Sequence, residues 1–441
     1  MKIAIVNSVK DPAGCHIREE LLKKTGHSGS GILRYFTHRI VFLETEERLI
    51  YEENLDERTD CDLIIFISRH TGVNPAPALT VHVTGNFKTA DYGGRPESLA
   101  MAAPEWMQRT LNMLQKYAPE GYSVSYEVTH HGPTDLKTPS FFVEIGSTEK
   151  EWADKNAASA VANSLLEILK EDSPEVIRMI GFGGNHYAAR ETEMALSSNA
   201  GFGHICHSRE VPDADKATVI RMMKNSGAQA AYIDKKSVAK SDLRRIEKIL
   251  AELSLPLLSE GEVKSAGDLD WETFLEIRET AGRIKGAGKV KIMALSGKGE
   301  IIRFEINPEL FEEALRADKS AVHNTLQTLP VACIMSHTGN LLPEFISYKE
   351  NRLKLINDLI TLCVKTLHKE EYTATDNDRI IIRRVRFDPD AAKKAGVTPG
   401  PLYGKLASGN EIVIEGRIIT PDMVSAVDEK IIHLEGLERY L

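Results

Sequence analysis

The chain has 441 residues, of which 42% are hydrophobic and 27% are charged, and its formal net charge is −9. A chain of this length usually forms more than one hydrophobic core, so we expect two domains. Proteins that coat DNA or RNA through bulk electrostatic attraction are normally basic, so the acidic balance disfavours that class. An enzyme with one local basic patch is still compatible with this charge.

Neither a membrane span nor a disulfide framework is expected. The sequence contains no run of about 18 apolar residues, and the apolar stretch at the N-terminus is too short for a signal peptide. The cysteines are widely separated and form no CxxC pair; they are Cys15, Cys61, Cys206, Cys333 and Cys363. This spacing disfavours disulfides and a cysteine zinc site, and it predicts a cytoplasmic protein.

The first 260 residues alternate between strand-like and helix-like patterns. Strands are predicted at 2–7, 63–68, 122–129, 140–145, 176–181 and 230–233, and residues 39–45 and 49–51 are predicted to form a pair of short strands. Helices are predicted at 17–24, 96–118, 148–170, 216–226 and 241–253. Pro104 is expected either to kink the second helix or to start its second half. The alternation predicts an α/β fold with a mixed or mostly parallel sheet flanked by helices.

Turn-forming residues between 255 and 268 interrupt this pattern. We therefore predict a first domain at residues 1–260 and a second, smaller α/β region at residues 268–441. In that region, helices are predicted at 271–285 and 350–368 and strands at 289–295 and 301–306, and residues 400–409 are rich in turn-forming residues. Seven Lys or Arg against four Asp between residues 376 and 410 make this segment locally positive. It is either a solvated face or a surface for a phosphodiester backbone.

Histidines are concentrated in the first half of the chain, where ten of the 14 lie between residues 16 and 207. Two strand-like runs end at His70 and His82, joined by a Pro-rich connector, residues 71–78, that is not helical. Imidazole can bind a metal, relay a proton or donate to an oxyanion. Polar neighbours could orient a sugar hydroxyl or an ester carbonyl, or simply end the strands by local hydrogen bonding; they are Ser68, Thr80, Thr84 and Asn86. Because strand ends in α/β proteins gather ligand-binding groups, we predict a site here.

His130 and His131 follow the strand predicted at 122–129. Successive strand residues face opposite sides, so at most one of the two is expected to point into a given pocket. Glu144 lies on the next strand between apolar neighbours. Its carboxyl group then has a raised pKa, pairs with a cation or binds a ligand, unless it reaches solvent at the strand end.

Gly183, Gly184 and Asn185 form a loop before His186, and glycines allow backbone N–H groups to approach a phosphate or ribose closely. His204 and His207 could bind a metal from one helix face, although a satisfied core position is the favoured interpretation. The sequence has no GxSxG nucleophile elbow, no HExxH motif and no complete P-loop. These absences favour a hydrolase that works through a positioned water, with or without a metal.

Several of these motifs occur in one order along residues 1–260. They are Gly26-His27-Ser28-Gly29, Ser68-Arg69-His70, Leu79-Thr80-Val81-His82, Gly85-Asn86, His131-Gly132-Pro133-Thr134, Glu144-Ile145-Gly146-Ser147-Thr148-Glu149 with Trp152, and Gly183-Gly184-Asn185-His186-Tyr187. In these motifs the chain resembles the archaeal and plant type of D-aminoacyl-tRNA deacylase. The resemblance implies a fold like those of peptidyl-tRNA hydrolase and nucleoside phosphorylases, and zinc as a cofactor. It also implies hydrolysis of the ester that joins a D-amino acid to the terminal adenosine of tRNA, a step of translation quality control. The region after residue 260 is not part of the minimal family pattern, and contact with tRNA is one role for it.

The resemblance also implies roles for individual residues. His82, His131 and His186 surround the ester, as zinc ligands or as a general base with oxyanion donors, and Glu144 orients the water or a histidine. Substrate contacts are assigned to the residues around the two strand ends and the glycine loop: Ser68, Arg69, His70, Thr80, Gly85, Asn86, Gly183, Gly184 and Asn185.

Two other interpretations remain open. The chain could be a nucleoside- or phosphate-handling enzyme of phosphorylase-like fold that uses the glycine loop for phosphate. It could also be a tRNA-binding protein without catalytic activity, which would retain tRNA affinity and hydrolyse no aminoacyl ester.

Overall fold

The computed structural model describes residues 1–72, 75–172, 175–267, 269–369 and 373–441. The chain divides into two compact units, Met1–Asp268 and Leu269–Leu441. Residue 268, where the sequence predicts the second region to begin, lies outside the described residues, as do residues 73 and 74 of the Pro-rich connector. In the described part of the chain, no helix has both the length and the apolar character needed to cross a membrane.

The first unit contains strands β1 to β12 and helices α1 to α8. The strands are β1 Lys2–Ser8, β2 Ile32–Tyr35, β3 His38–Thr45, β4 Leu63–Arg69, β5 Ala78–His82, β6 Gly85–Asn86, β7 Ser98–Leu99, β8 Ser123–Tyr126, β9 Ser140–Gly146, β10 Ile177–Phe182, β11 Ala200–Cys206 and β12 Ala230–Ile233. The helices are α1 Pro12–Thr25, α2 Pro104–Tyr117, α3 Glu149–Trp152, α4 Lys155–Ile168, α5 Ala189–Ser197, α6 Lys216–Ser226, α7 Lys240–Glu252 and α8 Glu260–Ala266.

The central sheet of this unit has the strand order β2-β3-β1-β4-β9-β5-β8. Strands β3, β1, β4 and β9 are parallel, β5 pairs antiparallel with β9, and β8 pairs parallel with β5. β4 and β9 lie in the middle and are buried along nearly their whole length, and the rings of Phe66 and Phe142 stack 4.5 Å apart between them. The predicted α/β fold with a mixed sheet is confirmed. Its likeness to peptidyl-tRNA hydrolase and nucleoside phosphorylases stays a prediction.

Helices cover this sheet and connect it to a second one. α1 packs against β1 and β4, α2 contacts β5 and β8, and α4 contacts β9. The second sheet, β11-β10-β12, is parallel, and α6 packs on it around Phe182, Val219 and Met222. Because α2 also contacts β11, the two sheets belong to one unit.

Three predictions in this unit are wrong for local reasons. The helix predicted at 96–118 begins at Pro104. Proline fits the first turn of a helix because a backbone N–H at that position would have no hydrogen-bond acceptor within the helix. Residues 49–51 form a single 3₁₀ turn, and β3 pairs with β2 and β1 instead. The helix predicted at 148–170 is two helices, because Asp154 starts α4 by accepting a hydrogen bond from the N–H of Asn156.

The second unit contains strands β13 to β21 and helices α9 to α14. The strands are β13 Ala287–Ile292, β14 Ile301–Glu305, β15 Ala332–Ser336, β16 Leu341–Tyr348, β17 Thr373–Asp376, β18 Arg379–Phe387, β19 Ile412–Ile414, β20 Arg417–Ile419 and β21 Ser425–His433. The helices are α9 Trp271–Gly282, α10 Pro308–Ala317, α11 Lys319–Leu326, α12 Arg352–His368, α13 Pro389–Lys394 and α14 Pro401–Ala407.

The second unit is built on antiparallel sheets. The order β13-β15-β16-β14 forms one sheet, and β17-β18-β21 forms another. Phe311, Phe345 and Leu359 lie in its core. In the turn-rich segment 400–409, a turn forms only at residues 408 and 409, because Pro401 opens α14 as an N-terminal proline. α10, α11, β15 and β16 are absent from the sequence prediction.

The arginines of the predicted positive segment are paired with carboxylates, whereas its lysines are not part of these pairs. Arg383 pairs with Glu429 at 2.9 Å and Arg386 with Asp428 at 2.6 Å, and Arg384 pairs with the buried Glu313. Arg383 and Arg386 therefore pair across neighbouring strands and Arg384 joins the sheet to α10, so each of the three already has a carboxylate partner. Contact between this unit and tRNA stays a prediction.

Candidate active site

Glu144 lies at the centre of the main sheet, between β4 and β5. The strand register places it beside Ser68 on one side and Thr80 on the other. The Ser68 hydroxyl donates to Glu144 Oε1 at 2.6 Å, while His70 Nδ1 and His82 Nε2 lie 3.6 and 3.7 Å from Oε2. Burial raises the pKa of this carboxyl group, but the two imidazoles hold it well below its usual range. Of the alternatives that the sequence leaves open, the geometry shows a buried carboxylate paired with cations.

Glu127 is a second buried carboxylate beside it. Its Oε1 lies 3.1 Å from His70 Nδ1, and its Oε2 lies 2.9 Å from His186 Nε2 and 3.5 Å from His130 Nε2. Burial opposes ionisation, yet the neighbouring imidazoles of His186 and His70 lower its pKa to about 2. Glu127 therefore joins the histidines of three different segments.

Sequence reasoning missed Glu127, although a signal was present. It stands between Tyr126 and Val128, just as Glu144 stands between apolar neighbours on its strand. The same criterion of a carboxylate in an apolar strand-like run applies to both residues.

The expectation that His130 and His131 face opposite sides is wrong. Both line the same pocket, with ring centroids 4.4 Å apart. β8 already ends at Tyr126, and His131 adopts a φ of 47°, so strand alternation does not hold there.

Together these side chains form a histidine–glutamate cluster, defined as His70, His82, His130, His131, His186, Glu127 and Glu144. Three of its rings have a backbone carbonyl beside Nδ1: Val83 for His82 at 3.3 Å, Val128 for His130 at 2.8 Å, and Gly132 for His131 at 2.7 Å. A carbonyl only accepts, so Nδ1–H donates in each case, and in a neutral ring Nε2 is left without a proton. Burial lowers the pKa of His131 to about 4 and that of His130 well below its ordinary value, so both are neutral near pH 7.

This arrangement fits a metal ion. Potential ligand atoms approach within 4.8 Å of one another in three groups: His82, His130 and His131; His70, Glu127 and His186; and His82, Glu127 and Glu144. Within the described residues, His82 Nε2 and both oxygens of Glu127 are buried without a well-formed hydrogen bond. Histidine ligands commonly donate Nδ1–H to a carbonyl while Nε2 binds the metal. The ligands predicted from the sequence are divided here, with His82 and His131 in one group and His186 in another.

The cluster forms one wall of a pocket of about 670 Å³. Predicted site residues that line it are Ser68, Arg69, His70, His131, Glu144 and His186. Thr80 and His82 are fully buried behind this wall, next to Glu144.

The remaining predicted substrate contacts do not line the pocket and support it instead. Asn86, adjacent to Gly85 in β6, donates its amide to the carbonyls of Gly93 and Arg95 at 2.9 and 3.3 Å. The Gly184 N–H donates to Ser237 Oγ at 2.7 Å, which fixes the Gly183-Gly184 loop.

Asn185 and Tyr187 connect the glycine loop to the cluster. The Asn185 side-chain oxygen accepts from the N–H of Tyr187 at 3.1 Å. The Tyr187 hydroxyl then lies 3.2 Å from His70 Nε2. Asn185 therefore helps to position His186 and Tyr187. The contact between Tyr187 and His70 was not predicted from the sequence.

His204 is a satisfied core residue, as favoured from the sequence. It lies in β11 rather than on a helix, with Nδ1 3.1 Å from Thr129 Oγ1 and Nε2 2.9 Å from the Ala100 carbonyl. Its two ring nitrogens are occupied, so it is not available as a ligand.

Glu191 makes the stability of this region depend on pH. It is fully buried under the glycine loop, neither carboxylate oxygen accepts a hydrogen bond from another described residue, and burial raises its pKa to about 8. The pKa of Glu191 is higher in the folded state than in the unfolded state. Its contribution to the free energy of unfolding is therefore complete below pH 4.5 and is lost as the pH rises to 8. We expect Glu191→Gln to raise the free energy of unfolding at pH 9 more than at pH 5, by on the order of 4 kcal/mol, and therefore to raise the melting temperature mainly at pH 9. Glu193→Gln, on the exposed side of α5, serves as the control; an equal shift at both pH values would contradict the buried charge.

Comparison with known proteins identifies the family. The family model described as D-aminoacyl-tRNA deacylase matches residues 57–258. A D-aminoacyl-tRNA deacylase from Methanoculleus marisnigri is 46% identical over 441 residues, and one from Methanoregula boonei is 48% identical over 444 residues, each covering 100% of both chains. The chain belongs to the D-aminoacyl-tRNA deacylase family.

The similarity to this family extends over both units of the chain. The matched residues include the whole cluster, from His70 to His186. The full-length relatives also cover the second unit, so the region after residue 260 is shared within the family. A conserved protein of unknown function with a known crystal structure is 34% identical, with a TM-score of 0.56, over 60% of this chain and 96% of its own. The resemblance inferred from the motifs is confirmed.

Proposed function

We propose that the chain hydrolyses the ester bond of D-aminoacyl-tRNA, releasing a free D-amino acid and tRNA. The observation that carries this proposal is the histidine–glutamate cluster in the wall of the pocket, within the segment that the family model matches. The relatives that match along their full length bear the name of this activity.

Activation of water is assigned first to His131, which is neutral near pH 7. His131 gives its Nδ1–H to the Gly132 carbonyl, which leaves Nε2 either to accept a proton from a water molecule in the pocket or to bind a metal that activates that water. His186, held by Glu127 at 2.9 Å, is the second ring at this wall. Glu144 fixes His70 and His82 and thereby the geometry of the cluster.

His70 supplies positive charge for the developing oxyanion. Its burial disfavours the charged form, but Glu144 and Glu127 raise its pKa to about 9, so it is an imidazolium at neutral pH. Its ring lines the pocket, and Nε2 lies 3.2 Å from the Tyr187 hydroxyl. A cationic donor held between two carboxylates is preorganised to stabilise the tetrahedral intermediate.

Zinc is the cofactor that the family resemblance implies, and the residues fit it. We propose His82, His130 and His131 as its ligands, because each has Nδ1 at a carbonyl and so directs Nε2 away from the backbone, and these three side chains form one candidate group. A bound zinc ion lowers the pKa of a bound water and polarises a carbonyl group. The third ligand predicted from the sequence, His186, belongs to a different candidate group, together with Glu127 and His70.

Substrate binding is assigned to the pocket residues Ser68 and Arg69, which lie next to the cluster and face the terminal nucleotide. Cytoplasmic tRNA is the proposed partner. All five cysteines are free, which supports a reducing compartment. The alternative of a phosphate-handling enzyme required the Gly183-Gly184 loop to bind phosphate, but this loop does not line the pocket and Ser237 occupies its Gly184 N–H.

The proposal is tested with D- and L-tyrosyl-tRNA, each with and without a chelator. We expect rapid loss of the D-ester alone, and loss of that activity when the chelator is present and its return on adding zinc. Equal rates for both enantiomers, or no hydrolysis of either, would refute the proposed function. Chelator-insensitive hydrolysis of the D-ester would refute the zinc assignment only.

A further inference from the structure

The pocket has a cationic mouth in addition to the histidine–glutamate cluster. Lys10, Arg48 and Arg69 line it. Lys10 is paired with Glu47 at 2.7 Å. Neither arginine forms an ion pair with a carboxylate among the described residues, whereas the chain as a whole carries a net charge of −9. Two unpaired guanidinium groups at one opening indicate an anionic ligand.

Arg69 is held in place, and its guanidinium group donates no hydrogen bond to another described residue. Its guanidinium lies over the Trp152 ring at 4.9 Å from the ring centroid, and its backbone N–H donates to Asp11 Oδ2 at 2.9 Å. The Trp152 Nε1–H donates to the His70 carbonyl at 3.0 Å, so the same indole fixes both Arg69 and the start of the cluster. Stacking uses the face of the guanidinium and leaves its in-plane N–H groups for hydrogen bonding.

Arg48 reaches the mouth from a different segment. It precedes the 3₁₀ turn of residues 49–51, which is anchored by the buried Leu49. Its own side chain is exposed, with the guanidinium carbon 5.9 Å from the Tyr51 ring centroid.

Two carboxyl groups, Asp11 and Glu144, also line this pocket, and among the described residues neither forms an ion pair with Arg48 or Arg69. Asp11 Oδ1 accepts from the Gly14 N–H at 2.9 Å, and Oδ2 accepts from the backbone of Arg69. Its carboxylate caps α1 and fixes the chain, and burial raises its pKa. Asp11 attracts Arg69 electrostatically, but its two oxygens accept from backbone N–H groups, so the N–H donors of both guanidinium groups remain available to a ligand.

We propose that Arg48 and Arg69 bind the 5′-phosphate of the terminal nucleotide of the substrate. This inference rests on the proposed function, because it places the ester at the cluster. A 3′-aminoacyl nucleotide carries its 5′-phosphate one ribose away from the ester, and Arg69 directly precedes His70 in the chain. Planar guanidinium groups bind phosphate oxygens with paired, charge-assisted hydrogen bonds. The two arginines thereby set the register of the ribose, so that the ester lies against the cluster.

Binding of adenosine 5′-monophosphate and of adenosine to the full chain, measured by calorimetry, tests this assignment. We expect the parent protein to bind the monophosphate at least about tenfold more tightly, since a charge-assisted hydrogen bond contributes roughly this much. Arg48→Gln and Arg69→Gln should each lose most of that preference. Arg39→Gln removes the same charge from an exposed position in β3 outside the pocket and should retain it.

Equal affinities of the parent protein for the two ligands, or an undiminished preference in both variants, would overturn the phosphate assignment. Melting curves check that each variant is folded. Hydrolysis of D-tyrosyl-tRNA by the same preparation is measured separately. Absence of hydrolysis refutes the proposed function, whereas hydrolysis without any preference for the monophosphate refutes this inference alone.

Discussion

Glu127→Gln is expected to lower kcat/KM for D-tyrosyl-tRNA by about 10²–10⁴-fold, the usual contribution of acid–base groups. The carboxylate faces His70, His130 and His186 at 3.1, 3.5 and 2.9 Å. An amide carries no charge to keep His70 protonated, and it accepts through one oxygen only. The oxyanion donor and the position of His186 are therefore lost together.

Glu120→Gln is the matched control, since Glu120 is exposed after α2 and outside the pocket. Removing one partner of a buried ion pair also destabilises a protein, by about 3–5 kcal/mol. A thermal melting curve then shows whether the variant is still folded at the assay temperature, which separates a folded, inactive variant from an unfolded one. A folded Glu127→Gln variant with the parent rate would show that this carboxylate has no part in the reaction.

His131→Ala and His82→Ala are expected to lose at least about 100-fold in kcat/KM, because each removes an imidazole from the cluster. Both variants should remain folded. His82→Ala should melt at a lower temperature, since His82 is fully buried and stacks on Phe142 at 5.4 Å. His131 lines the pocket, so its truncation leaves space already open to water.

Zinc content measured on both purified variants adds a readout that a purely structural change would not move. We expect both to bind less zinc than the parent protein. His337→Ala, an exposed substitution in the second unit, should change neither zinc content nor rate. Full activity in both cluster variants would remove these histidines from the mechanism.

Local patterns in the sequence predicted much of the fold and part of the site. Glu144 was recognisable because a carboxylate interrupts an apolar strand, and His70 and His82 because they end two strand-like runs. The α/β alternation follows from the period of the apolar residues. The motifs then identified the family, because several independent ones occur in one order.

Strand order could not be read from these local patterns. β5 runs antiparallel to β9, which brings His82 opposite Phe142 and two residues from Glu144. No local pattern distinguishes this direction from a parallel one. The presence of both Arg48 and Arg69 at one pocket mouth depends in the same way on segments that are far apart in the chain.

Loop conformation was the other source of error. The strand rule separated His130 from His131, but the positive φ of His131 brings both rings to one pocket. The Gly183-Gly184 loop has the composition of a phosphate loop, yet Ser237 occupies the N–H of Gly184. The residue types show which backbone conformations these loops can adopt. Tertiary contacts determine which of those conformations is present in the structure.

The most direct test of the central claim is single-turnover deacylation of D-tyrosyl-tRNA by the Glu127→Gln, Glu144→Gln double variant, measured together with tRNA binding. If the histidine–glutamate cluster performs the chemistry, tRNA binding stays within about twofold of the parent protein and release of D-tyrosine is lost. Release at the parent rate by a folded double variant would contradict the claim and place the reaction elsewhere in the chain.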